Sequence, residues 1–81
     1  MPALTLLGRP GCHLCHEMRA VVGGVLGAAA TLVERNIEED EELLRRYALL
    51  IPVLLAGDVE VARYRIGPEE LRRRLSELGL F

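Results

Sequence analysis

Eighty-one residues, 51% hydrophobic and only 4% aromatic, make one small domain spanning 1–81, with a core built from Leu, Val, Ile and Ala rather than from rings. A net charge of −2, with all ten basic residues Arg, offers no general attraction to nucleic acid or to an anionic membrane surface. No apolar run approaches the roughly 20 residues that cross a bilayer. Met1-Pro2-Ala3-Leu4 lacks the basic and apolar regions of a secretory signal, so the expected compartment is the cytoplasm.

In chain order, Leu4-Thr5-Leu6-Leu7 predicts a buried strand, stopped by Gly8-Arg9-Pro10-Gly11. Leu14, Met18, Val21, Val22, Val25 and Leu26 recur at helical spacing and predict one apolar helix face running to Leu26, through Gly23 and Gly24. Thr31-Leu32-Val33-Glu34-Arg35 is rich in β-formers and predicts a second strand. The acidic run Glu38-Glu39-Asp40-Glu41-Glu42 suits the positive end of a helix, with Asp40 as N-cap and Arg45 and Arg46 near the other end. Leu43, Leu44 and Tyr47 form that helix's expected buried side; a docking patch is the rival reading of the acidic run.

Val53-Leu54-Leu55, then Ala56-Gly57-Asp58, then Val59-Glu60-Val61-Ala62 predict a β-hairpin. Gly67-Pro68 opens a last helix with Pro at its first position, Leu71, Leu75 and Leu78 form its apolar stripe, and Gly79 ends it. Arg72-Arg73-Arg74 fan around that helix and read as solvated surface rather than an anion site. The order β-α-β-α-β-β-α predicts an α/β fold. Its mixed four-stranded sheet has the first two strands parallel, the last two antiparallel, and helices on both faces.

The chemistry-bearing feature is Gly11-Cys12-His13-Leu14-Cys15-His16, at the strand-to-helix junction. It holds the only two cysteines of the chain, three positions apart, within reach of each other on a helical turn. In a reducing compartment such a pair is catalytic or metal-binding rather than a staple. A thiol attacks a disulfide only as the thiolate, and a free Cys ionises near about 8.5. Cys12 at the helix start lies where free N–H groups and the dipole favour negative charge, with Arg9 and His13 as further aids. Cys15, one turn in, is expected to be less exposed. Cys12 therefore attacks and Cys15 resolves. His13, His16 and Glu17 are candidate proton shuttles whose bland reading is surface residues of the first turns, and Tyr64 is either a groove residue or an edge-packing one.

A strand, Arg9-Pro10-Gly11-Cys12-His13-Leu14-Cys15, a helix, and later Ile51-Pro52 before a hairpin resemble a glutaredoxin, within the thioredoxin-like fold. More closely it resembles the short bacterial glutaredoxin-like proteins. The resemblance implies a redox-active CxxC disulfide and an electron-transferring oxidoreductase. In it Cys12 is the attacking and Cys15 the resolving cysteine, Arg9 takes the place of a Lys, Pro52 is a cis-proline facing the cysteines, and the backbone of Ile51 pairs with a bound thiol peptide. His13 joins Arg9, Ile51 and Pro52 as a substrate-binding candidate. Expected partners are protein or small-molecule disulfides and a reducing dithiol or glutathione. No resident cofactor or metal is expected, with glutathione a possible co-substrate. Two departures bear on glutathione: Arg65-Ile66-Gly67-Pro68-Glu69-Glu70 stands where glutaredoxins carry a Gly-Gly-x-x-Asp-like stretch, and His13-Leu14 replaces the usual aromatic.

Other readings of the same residues stay open at this point. Cys12, His13, Cys15 and His16 are zinc-type ligands, but a tetrahedral site draws on separated segments, so the chain offers half a site for a second chain to complete. An iron–sulfur cluster shared between two chains belongs to the same class, as does an adaptor that only binds proteins. Cys12-His13-Leu14-Cys15-His16 also spells the haem-attachment pattern, with Met1 and Met18 as poorly placed axial candidates.

Overall fold

The computed structural model describes residues 3–27 and 31–80; Met1, one of the two axial candidates, lies outside them. The elements are β1 (Ala3–Gly8), α1 (His13–Leu26), β2 (Thr31–Asn36), a 3-10 turn (Ile37–Glu39), α2 (Glu41–Tyr47), β3 (Val53–Ala56), β4 (Val59–Arg63) and α3 (Pro68–Glu77). The sheet has four strands in the order β2-β1-β3-β4. β1 runs parallel to β2, with Leu6 beside Glu34 and Gly8 beside Asn36. It runs antiparallel to β3, with Leu7 beside Val53. This is the α/β architecture that the element order predicts.

Alternation along β1 sends its side chains to two layers. Leu4 and Leu6 point into the larger core with Met18, Val22 and Leu26 of α1 and Leu71 and Leu75 of α3. Leu7 points the other way, to Ile37 and Val53, where Leu43 and Tyr47 of α2 cover it. Between β3 and β4 the register slips by one residue, with Leu54 opposite Ala62 but Leu55 opposite Glu60. The extra residue, Val61, joins Ala62 on the larger core, as a bulge permits.

Helix ends follow local chemistry. Asp40 caps α2 by accepting from the Leu43 N–H at 3.1 Å, and Arg45 and Arg46 lie in its last turn. Pro68 opens α3 after Gly67. Gly79, at φ 74°, reverses the chain after α3. There the Leu80 N–H reaches the Leu75 carbonyl at 2.8 Å and that of Gly79 reaches Ser76 at 3.0 Å, the paired bonds of a Schellman turn.

Three expectations need correction. Leu78 is 41% exposed and sits outside the α3 stripe, because the turn at Gly79 brings Leu80 back onto the core in its place. Leu44 is exposed, because the two turns of α2 turn one half-buried i, i+4 pair, Leu43 and Tyr47, toward the sheet and Leu44 outward. Glu38 and Glu39 belong to a 3-10 turn that Asn36 caps through the Glu38 N–H at 2.9 Å, not to α2. The acidic run thus serves two successive helix starts.

Candidate functional site

β1 carries the chain to the sheet's end, and Gly8-Arg9-Pro10-Gly11 turns it into α1. The turn closes with the Cys12 N–H donating to the Arg9 carbonyl at 3.3 Å. Cys12 is the N-cap of α1, with extended backbone at φ −81° and ψ 107°. Its sulfur occupies the position of an N-cap oxygen and accepts the Cys15 backbone N–H at 3.1 Å. Cys12 and Cys15 form a disulfide with their Cα atoms 5.2 Å apart.

The two sulfurs sit in different surroundings. Cys12 is half-buried and Cys15 is only 5% exposed. A Cβ placed on Gly8 would lie 2.6 Å from the Cys15 sulfur and 3.3 Å from its Cβ, so Cys15 fits only because β1 ends in a residue without a side chain. Sequence reasoning saw Gly8 only as a strand stop.

Two hollows meet at the disulfide. The first, about 320 Å³, is lined by Arg9, Pro10, Gly11, Cys12, His13, Leu14 and Ile51. It brings together Cys12 and three of the four substrate-binding candidates. The fourth, Pro52, is buried and does not line it. The Ile51–Pro52 bond is cis, and the Pro52 carbonyl accepts the Tyr64 N–H at 2.8 Å. Arg9 has no acidic partner among the described residues, while His13 is exposed with Nε2 3.3 Å from Glu17 Oε2.

The second hollow, about 330 Å³, opens on the β2 side, and both cysteines border it. Its far wall is Arg19 and Glu34. Arg19 Nε donates to Glu34 Oε1 at 2.8 Å, and Nη2 donates to the same oxygen. Arg19 Nη1 lies 2.8 Å from His16 Nδ1. An arginine only donates, so Nδ1 is the accepting atom of this contact. Sequence reasoning missed the pairing of Arg19 with Glu34; the parallel register that puts Glu34 beside Leu6, under α1, is its only precursor in the chain.

Tyr64 is the one non-glycine residue at positive φ among the described residues, at 66°. It is held there by the Pro52 carbonyl and by its own hydroxyl, which donates to the Leu49 carbonyl at 3.1 Å. It borders a further hollow of about 420 Å³ with Glu17, Met18, Arg65 and Glu70. Met18 belongs to the core at 2% exposure, away from any axial-ligand role. Among the described residues no three His, Cys, Asp or Glu side chains gather in a metal-holding cluster.

Comparisons with known proteins agree with the fold. The X-ray structure of the Northeast Structural Genomics target protein XcR50 from X. campestris superimposes with a TM-score of 0.79 at 28% identity, covering 91% of this chain and 96% of that one. The solution structure of the same target gives 0.77 at 28% identity, covering 95% of each chain. The germline-specific thioredoxin Deadhead of Drosophila melanogaster shares the fold at 21% identity, TM-score 0.52, covering 98% of this chain and 80% of that one. No curated protein sequence matches the chain. A family model for the glutaredoxin-like domain (DUF836) matches residues 3–76, which is nearly the whole chain, and the protein belongs to that family.

Proposed function

We propose that the chain is a dithiol–disulfide oxidoreductase in which Cys12 attacks and Cys15 resolves. The observation that supports this most is the Cys12 sulfur at the helix N-cap, accepting the Cys15 N–H. After reduction the same donor faces a thiolate, and a charge-assisted hydrogen bond at a helix N-terminus favours that form. The Cys12 thiolate attacks one sulfur of a substrate disulfide, forming a mixed disulfide and releasing one substrate thiolate, which takes a proton from water. Cys15, deprotonated, then attacks the Cys12 sulfur. The Cys12–Cys15 disulfide forms, the second substrate thiol leaves, and two electrons have passed to the substrate. A partner dithiol restores the pair by the reverse exchange.

The substrates are protein or small-molecule disulfides reaching Cys12 through the hollow between Arg9, His13 and Ile51. No resident cofactor takes part. The setting is the cytoplasm, whose thiol pools supply the electrons; no helix among the described residues is long and apolar enough to cross a membrane. Glutathione is a weak co-substrate in this reading. Arg9 is open to one of its carboxylates, and the Ile51 backbone to its middle. The other carboxylate meets the start of α3, whose first turn already carries Glu69 and Glu70.

Two experiments test the reading. Cys12→Ser abolishes disulfide exchange, while Cys15→Ser accumulates mixed disulfides with its substrates. The pH dependence of Cys12 alkylation, measured in Cys15→Ser, places its ionisation below that of a free thiol. An unperturbed thiol at Cys12, or exchange surviving in Cys12→Ser, overturns the assignment. Rapid deglutathionylation by Cys15→Ser would refute the weak role given to glutathione.

A further inference from the structure

The resolving step asks for something the attacking step does not. Cys15 is nearly buried, and burial disfavours a thiolate, yet Cys15 must lose its proton before it can attack. The hollow on the β2 side reaches it. Charged or titratable groups face that space from every element around it: Arg9 and Cys12 from the turn after β1, His16 and Arg19 from α1. From β2 and the turn that follows come Glu34, Arg35 and Glu39, with Arg35 drawn 3.4 Å from Asp40.

Arg19 and Glu34 are the pair locked across this hollow. Two guanidinium nitrogens hold Glu34 Oε1 and the third holds His16, so Arg19 is not free to capture a thiolate. Glu34, neutralised by Arg19, does not repel one. We propose that Arg19 and Glu34 are positioning residues for the resolving step: locked together, they keep the hollow beside Cys15 charge-balanced and polar, so that the Cys15 proton leaves through it to water. The proton passes to water or buffer, the Cys15 thiolate attacks the Cys12 sulfur of the mixed disulfide, and the departing substrate thiolate is protonated from the same solvent. This deepens the oxidoreductase reading and rests on it.

The test uses the Cys12→Ser chain, in which Cys15 is the only thiol, titrated by ultraviolet thiolate absorbance at low ionic strength, where screening is weakest. Glu34→Gln leaves Arg19 unpaired and moves the Cys15 transition to lower pH; Arg19→Gln leaves Glu34 unpaired and moves it to higher pH. Each shift is a few tenths of a pH unit, because both charges are half-exposed and screened by water. The double variant returns close to the Cys12→Ser value. Both side chains are about half-exposed, at 42% and 46%, so neither change opens the core. A purely structural role would move both single variants the same way. Shifts of the same sign, or none, overturn the proposal. Disulfide exchange by the unaltered chain is measured beside them. If exchange is absent while the opposite shifts appear, the oxidoreductase reading fails and the electrostatic assignment stands; if exchange is present without the shifts, only the assignment fails.

Discussion

Gly8→Ala is the substitution through which the fold speaks most directly to the chemistry. The added methyl carbon would sit 2.6 Å from the Cys15 sulfur, closer than non-bonded atoms approach. In the oxidised protein that sulfur is tied to Cys12 and cannot rotate away, so β1 or the first turn of α1 must shift. Overpacking of this kind costs about 1–3 kcal/mol. In the reduced protein the Cys15 sulfur is free to change rotamer, and only the 3.3 Å approach to the Cys15 Cβ, which no rotamer moves, remains. The oxidised form is therefore destabilised more than the reduced one, and the dithiol/disulfide potential rises by up to about 65 mV, since 30 mV corresponds to about 1.4 kcal/mol for two electrons. Equilibration against dithiothreitol mixtures, read by alkylation and mass, gives the potential. Urea unfolding of both redox forms gives the two stabilities, and adding Cys15→Ala to Gly8→Ala should recover most of the loss. An unchanged potential, or equal destabilisation of both forms, would refute the idea that Gly8 makes room for the bonded sulfur.

Other expectations concern the scaffold. Leu71→Ala, at a position with 0% exposure, should cost about 2–5 kcal/mol in urea unfolding, while Leu78→Ala, at 41%, should stay within about 0.5 kcal/mol. Asp40→Ala should lose about 0.5–2 kcal/mol through the α2 cap, with Asp40→Asn retaining most of it in the same assay. The Arg63 hydrogen bond holds the Glu60 carboxyl below its ordinary range. A carboxylate lowered in the folded state adds stability above its unfolded pKa, and that stability is lost as pH falls through the folded one. Thermal melts of Glu60→Gln should thus fall below the parent at neutral pH, meet it in acid, and approach it as salt is added.

What could be read from the chain alone was whatever lies within a turn or two of itself. The spacing of Cys12 and Cys15, the Asp40 cap, the Gly57–Asp58 hairpin and the Pro68 helix start each depend on residues at most a few positions apart, and each is in place. Periodicity places Leu78 and Leu44 on buried faces because it names a face but does not say where the helix stops or how broad its neighbour is. The family resemblance, not periodicity, supplied the cis bond at Ile51–Pro52.

The features that distinguish the two sulfurs lie further apart in sequence. Gly8 and Cys15 meet only because β1 ends where α1 begins its inward turn. Arg19 and Glu34, fifteen positions apart, meet because a parallel β1–α1–β2 crossover lays the helix over the second strand. A Cys-x-x-Cys spacing alone puts two sulfurs within bonding reach. The fold makes its two ends unequal, one sulfur capping a helix in an open hollow, the other set against a glycine beside a neutralised charge pair. In the mechanism proposed above, that inequality gives the attacking and resolving steps separate places to occur.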